Sequence, residues 1–99
     1  MNRTASIALA LLCAASPVAA QDAASRNLAA PCAICHGTEG RSEDKALVPL
    51  AGLPRDHIAG QMRAFRDGQR PATVMHQIAK GYSDEQIDAL AAWFAAQKR

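Results

Sequence analysis

The sequence predicts an all-α domain, and three observations lead there. Apolar residues recur at helical spacing in two separate stretches, a capping-box pair opens the second stretch, and no run alternates apolar and polar residues as a strand would. In chain order, a short helix is expected over Ala23 to Ala30, with Pro31 interrupting or restarting it. Residues 40–53 mix Gly, Pro and charge and read as loop. From Pro54 to Asp67, Ile58, Met62 and Phe65 fall at i, i+4 and i+7 and form one apolar stripe; Pro54 suits the start of this helix and Gly68 its end. The runs from Gly68 to Thr73 and from Gly81 to Ser83 are connectors on either side of a short helix beginning near Met75. Ser83 and Gln86 have capping-box spacing, and Ile87, Leu90, Ala91 and Phe94 make the buried face of a last helix. No internal repeat appears.

Residues 1–20 have the three parts of an export leader: a basic start at Arg3, an apolar run from Ala5 to Ala15, and the small-residue site Val18-Ala19-Ala20. Cleavage after Ala20 leaves residues 21–99 as one domain in the periplasm. The apolar run of about 11 residues falls short of the roughly 20 that a membrane-spanning helix needs, so no membrane span is expected after leader cleavage. Cys13 follows Leu12, where lipid attachment wants a small residue, and it leaves with the leader.

The chain is 49% hydrophobic, but much of that is alanine, and there are only one Trp, one Tyr and two Phe. So short a chain with so few bulky apolar side chains needs a staple, a metal or a cofactor to complete its core. The net charge is +2, and +1 once Arg3 is gone, which gives no electrostatic ground for nucleic-acid binding or for an anionic membrane.

After cleavage two cysteines remain, and in an oxidising compartment thiols this close do not stay idle. They stand in Pro31-Cys32-Ala33-Ile34-Cys35-His36-Gly37, and Cys-x-x-Cys-His reads as covalent attachment of a c-type haem. On one helical turn Cys32 and Cys35 project to the same side, where each can form a thioether to one vinyl group. His36 follows at once as the proximal ligand of the iron, and Gly37, lacking a side chain, lets the backbone pass close to the porphyrin. A thioredoxin-like dithiol would need a βαβ context, and a zinc site would need more ligands than the singly placed His57 and His76 offer.

The sequence resembles the short monohaem class I cytochromes c of bacteria over nearly all of residues 21–99. The resemblance is carried by Cys32 to Gly37, Pro49-Leu50-Ala51-Gly52, the stretch from Gln61 to Arg70, Met75, and Ser83 to Phe94. Within that family, Ala72 to Ser83 is most similar to the haem domain of flavocytochrome c sulfide dehydrogenases. His57 departs from the pattern, since relatives commonly place an aromatic residue there. The resemblance implies a class I cytochrome c fold, a few short helices wrapped around one covalently attached haem c, and an electron-carrying role. It also implies that the carbonyl of Pro49 accepts the proton on the far nitrogen of the proximal histidine.

For the sixth position of the iron, Met75 follows a loop containing Pro71 that can cross the haem, and it matches the family's ligand position. Met62 lies within the apolar stripe and is expected in the core. His76 points about 100° away from its neighbour on a helix, so only one of the two can face the iron, and His57 is expected at the surface or the haem periphery. The expected cofactor-binding set is therefore Cys32, Cys35, His36 and Met75, with His36 and Met75 on the iron and no catalytic residue. Two further expectations concern Arg70, as a propionate partner or a free surface arginine, and Trp93, packing on the haem edge or in the core. Arg63, Arg66 and Arg70 lie at i, i+3 and i+7, either as a basic strip for an acidic partner or as a solvated helix face.

These residues lead to a carrier of single electrons rather than an enzyme, with a flavoprotein dehydrogenase, another cytochrome or a terminal oxidase as redox partner. Two other functions stay open: the haem electron-accepting subunit of a flavoprotein sulfide dehydrogenase, and a haem enzyme or gas sensor with an open sixth site.

Overall fold

The structure is a computed structural model and describes residues 17–43 and 47–99. Residues 1–16 of the expected leader lie outside the described residues.

Helix α1 runs over Pro17–Ala29, ahead of the expected start at Ala23. Alanine is the strongest helix former, so the Ala-rich residues ahead of Ala23 are helical too. A 3₁₀ turn at Ala30–Cys32 carries Pro31 in its first turn and leads into α2, Ala33–His36. Pro31 thus restarts the helix rather than ending it. A second 3₁₀ turn, Thr38–Gly40, follows, and the loop beyond it is pinned where the Gly40 carbonyl accepts hydrogen bonds from the N–H groups of Leu50 (2.8 Å) and Ala51 (3.1 Å).

Helix α3 spans Arg55–Arg66, with Pro54 as the residue just before it. Gly68, in the left-handed conformation at φ +75°, turns the chain away from its end. Helix α4 is the short segment Met75–Ala79, and α5 spans Asp84–Ala95. At its start the Ser83 hydroxyl accepts from the Gln86 N–H (3.2 Å), and the Gln86 side chain accepts from the Ser83 N–H (3.0 Å), so the expected capping box forms. No strand occurs among the described residues.

Helix α5 is the hub, packing against both α1 and α3, while α3 also packs against α4. The buried cluster joins Ala29, Ile58, Ala59, Met62, Ala79, Ile87, Leu90, Ala91 and Phe94. Its α5 members are the four residues expected from periodicity, and Met62 sits in it as expected. Four of the nine are alanines, so bulky side chains contribute little area for the length of chain. Burying Phe94, Ile87 or Leu90 is worth about 1.5–3 kcal/mol each, and so small a set leaves the fold dependent on a further apolar partner.

A polar clamp on the surface ties α3 to α5. Arg63 pairs with Asp84 (3.2 Å) and Asp88 (2.8 Å), while Arg66 pairs with Asp84 (2.8 Å) and Asp67 (3.1 Å). This corrects both readings of the basic strip: Arg63 and Arg66 are neither a free docking surface nor merely solvated, because their charge is spent on carboxylates of the neighbouring helix and turn. Arg70 departs from the strip as well. It hydrogen-bonds Gln61 and lies over the Phe65 ring, 4.7 Å from its centroid.

Candidate haem site

The two cysteines stand one helical turn apart, Cys32 closing the 3₁₀ turn and Cys35 within α2, and both are free thiols. Cys32 is half-buried against the core and Cys35 is exposed. Burial pushes the Cys32 thiol up from its ordinary range, with a smaller contribution from the neighbouring Cys35.

His36 ends α2, and its ring is held by one bond: Nδ1 stands 2.8 Å from the carbonyl oxygen of Val48. A carbonyl only accepts, so Nδ1 carries the proton and the Nε2 lone pair is left for a metal. The acceptor expected here was Pro49. The structure assigns the part to the residue before it. Proline biases its predecessor to extended backbone, and the carbonyl that reaches His36 is the one on the Val48–Pro49 peptide.

Gly37 has a second reason to be glycine besides the one expected. Its backbone lies at φ +84°, ψ 163°, a region nearly closed to other residues. A Cβ there would stand 2.2 Å from the Arg41 carbonyl oxygen. The glycine lets the chain fold tightly onto its own backbone directly after His36, and the loop that carries Val48 can then return to the ring.

Met75 is the first residue of α4 and packs, partly buried, against the core cluster. His76 beside it is half-buried, and its Nδ1 is fully enclosed without a hydrogen-bond partner. His57 is exposed, as expected. Trp93 packs edge-on against Phe94 at the margin of the core, with ring centroids 5.1 Å apart and planes at 78°. A cavity of about 1200 Å³ is an open groove between α1 and α5, and its lining includes none of Cys32, Cys35, His36 or Met75. The chemistry is placed by the side chains, not by that groove.

These residues suit a haem. Two thiols on one turn match two vinyl groups, and an imidazole with Nδ1 occupied presents Nε2 as a donor. Apolar surface stands bare beside each expected axial ligand, at Val48 (57% exposed) next to His36 and at Val74 (55%) and Ile78 (39%) next to Met75. Among the described residues no group of three or more His, Cys, Asp or Glu could hold a bare metal ion, so the zinc reading finds no ligand set.

An all-helical shell around a Cys-x-x-Cys-His turn, with the histidine ring oriented from its far nitrogen, defines a haem-binding module of the c type. Over 71 residues the chain is 44% identical to the thiosulfate dehydrogenase electron acceptor of Thiomonas intermedia (strain K12), which covers 71% of this chain and 33% of that protein. It is 36% identical over 70 residues to cytochrome c-554(548) of Halomonas halodenitrificans, covering 68% of this chain and 84% of that protein. Against the cytochrome subunit of sulfide dehydrogenase of Chlorobaculum tepidum it is 38% identical over 68 residues, 68% of this chain and 60% of that protein. The chain spans about a third of the first of these relatives and most of the second. No protein-family model matches it. The chain belongs to the cytochrome c family and resembles its monohaem class I members, and the cofactor that goes with this membership is covalently bound haem c. Among the described residues no helix is long and apolar enough to cross a membrane.

Proposed function

We propose that this protein is a periplasmic monohaem cytochrome c that carries single electrons between redox partners and breaks no substrate bond. In this reading the leader is cleaved after Ala20, Cys32 and Cys35 hold the haem, and His36 and Met75 are the axial ligands. The observation that carries the reading is the 2.8 Å bond from His36 Nδ1 to the Val48 carbonyl within the Cys-x-x-Cys-His turn. It fixes the tautomer, aims Nε2 and strengthens its donation to iron.

When bound, haem supplies a one-electron ferric/ferrous couple. The polypeptide contributes everything around it. Cys32 and Cys35 would hold it, each thiol adding across one vinyl group with its S–H proton ending on carbon. The bond to the Val48 carbonyl would hold the His36 ring in one orientation, so its position would change little between oxidation states. Met75, a thioether, would raise the potential and close the iron to small molecules. The apolar side chains beside both ligands exclude water.

A second reading, as the electron-accepting haem subunit of a dehydrogenase such as a flavoprotein sulfide dehydrogenase, draws support from the names of two relatives, an electron acceptor of thiosulfate dehydrogenase and a subunit of sulfide dehydrogenase. Co-purification with a flavoprotein from the native host favours this subunit role; isolation alone favours the free carrier. The carrier function itself is tested by a redox titration of the purified protein with and without cyanide or carbon monoxide. A reversible one-electron wave unaffected by either ligand is expected. Ready binding of either ligand overturns it in favour of an open-site haem enzyme or gas sensor.

A further inference from the structure

Helix α4, which begins with Met75, has only five residues. Helices that short do not hold themselves together in water, so α4 takes its position from tertiary anchors. One anchor is its packing on α3, with Ala79 fully buried. The other lies just past its end. The chain turns there through hydrogen bonds from the Gly81 N–H to the Ile78 carbonyl (3.1 Å) and from the Tyr82 N–H to the Ala79 carbonyl (3.2 Å). This turn delivers the Tyr82 ring to the core, where it is partly buried. The Tyr82 hydroxyl then donates to the carbonyl of Leu28 at 3.1 Å, a contact between residues 54 positions apart.

Leu28 lies in the last turn of α1, four residues ahead of Cys32. Carbonyls at a helix end lack intrahelical partners, so this one is available to a side-chain donor. Burial, with a smaller effect from Cys32, pushes the Tyr82 phenol up from its ordinary range, so it remains a donor at neutral pH. The bond therefore links the segment that carries Met75 to the segment that carries the haem attachment turn, the two segments whose residues would hold the iron.

We propose that Tyr82 is a positioning residue whose hydroxyl, bonded to the Leu28 carbonyl, fixes the α4 segment against the haem-attachment segment and so keeps Met75 on the iron. This rests on the assignment of Met75 as the sixth ligand. An exogenous ligand binds the ferric iron only in the fraction of molecules whose α4 segment has moved away, so its apparent affinity reports that fraction directly.

The experiment uses haem-loaded protein in the ferric state, titrated with imidazole and followed by absorption, in wild type, Tyr82→Phe and Gln97→Ala. Phe keeps the ring packing and removes only the hydroxyl. Gln97→Ala removes another part-buried hydrogen bond, from Gln97 Nε2 to the Trp93 carbonyl (2.8 Å), at the far end of α5. Loss of one such bond should tighten apparent imidazole binding about two- to tenfold in Tyr82→Phe, with Gln97→Ala unchanged. Equal affinity in Tyr82→Phe and wild type overturns the proposal, as does an equal increase in both variants, which reports general loosening. A wild-type ferric spectrum without the methionine-to-iron band defeats the Met75 assignment itself, separately from either outcome.

Discussion

Replacing Gly37 by Ala tests the geometry on which the proximal ligand depends. Glycine is nearly alone in adopting φ +84° with ψ 163°, and an L-residue held there is strained by about 1–3 kcal/mol. The new Cβ would also lie 2.2 Å from the Arg41 carbonyl oxygen and 2.6 Å from its carbon. Both are backbone atoms that cannot rotate aside, and overpacking of this kind costs about another 1–3 kcal/mol. Relief by rotating the peptide is blocked, because the Gly37 N–H donates to Ala33 (3.1 Å) and its carbonyl accepts from Gly40 (2.9 Å). The combined loss of about 2–6 kcal/mol is comparable with the whole stability of many small domains. Urea unfolding of the haem-loaded protein, followed by circular dichroism, measures it. Gly60→Ala is the control: it lies inside α3, where a Cβ meets nothing within 4 Å, and should be neutral or stabilising by up to about 1 kcal/mol. If Gly37→Ala unfolds within 0.5 kcal/mol (an approximate threshold for surface substitutions) of wild type, the steric account of this turn is refuted.

Three further outcomes follow from the packing and the charges. Met62→Ala should cost about 2–5 kcal/mol and leave the methionine-to-ferric-iron band intact, whereas Met75→Ala should abolish the band and lower the potential; absorption spectra and urea curves of the two variants separate the roles. Ser83→Ala removes the α5 cap and should cost about 1 kcal/mol in the same unfolding assay. Hydrogen bonds and charge from Arg66 and Arg63 hold the Asp84 carboxyl below its ordinary range. Its contribution is therefore complete above the usual carboxylate range and is lost as pH falls through the lowered value, so urea midpoints of wild type should fall more steeply in acid than those of Asp84→Asn.

What could be read from the sequence was local. The buried face of α5, its Ser83–Gln86 cap and the Ile58–Met62 stripe of α3 each depend on spacings within one helix, and the attachment turn depends on five consecutive residues. The parts that needed the structure depend on contacts between distant segments. Nothing in a helical wheel of α3 places Asp84 and Asp88 beside Arg63 and Arg66, because those carboxylates arrive on another helix. The proximal histidine's acceptor is set by the return path of a loop 12 residues away, which places Val48 rather than Pro49 at the ring. Gly37 was marked by its position in the motif, but its close approach to the Arg41 backbone lies in the fold of the following turn. The helical conformation of residues 17–22 went unread for a different cause: an alanine-rich stretch has helix propensity without an apolar stripe, and the same residues also resemble a leader cleavage site.

The central claim is that haem is fixed to this chain through Cys32 and Cys35 with His36 on the iron. The most direct measurement is the intact mass and absorption spectrum, under denaturing conditions, of protein exported in a host able to attach haem. The account predicts a polypeptide heavier by one haem that keeps its colour when denatured and loses it in the Cys32→Ala, Cys35→Ala double variant. Colourless wild-type protein with the mass of the bare chain would contradict it.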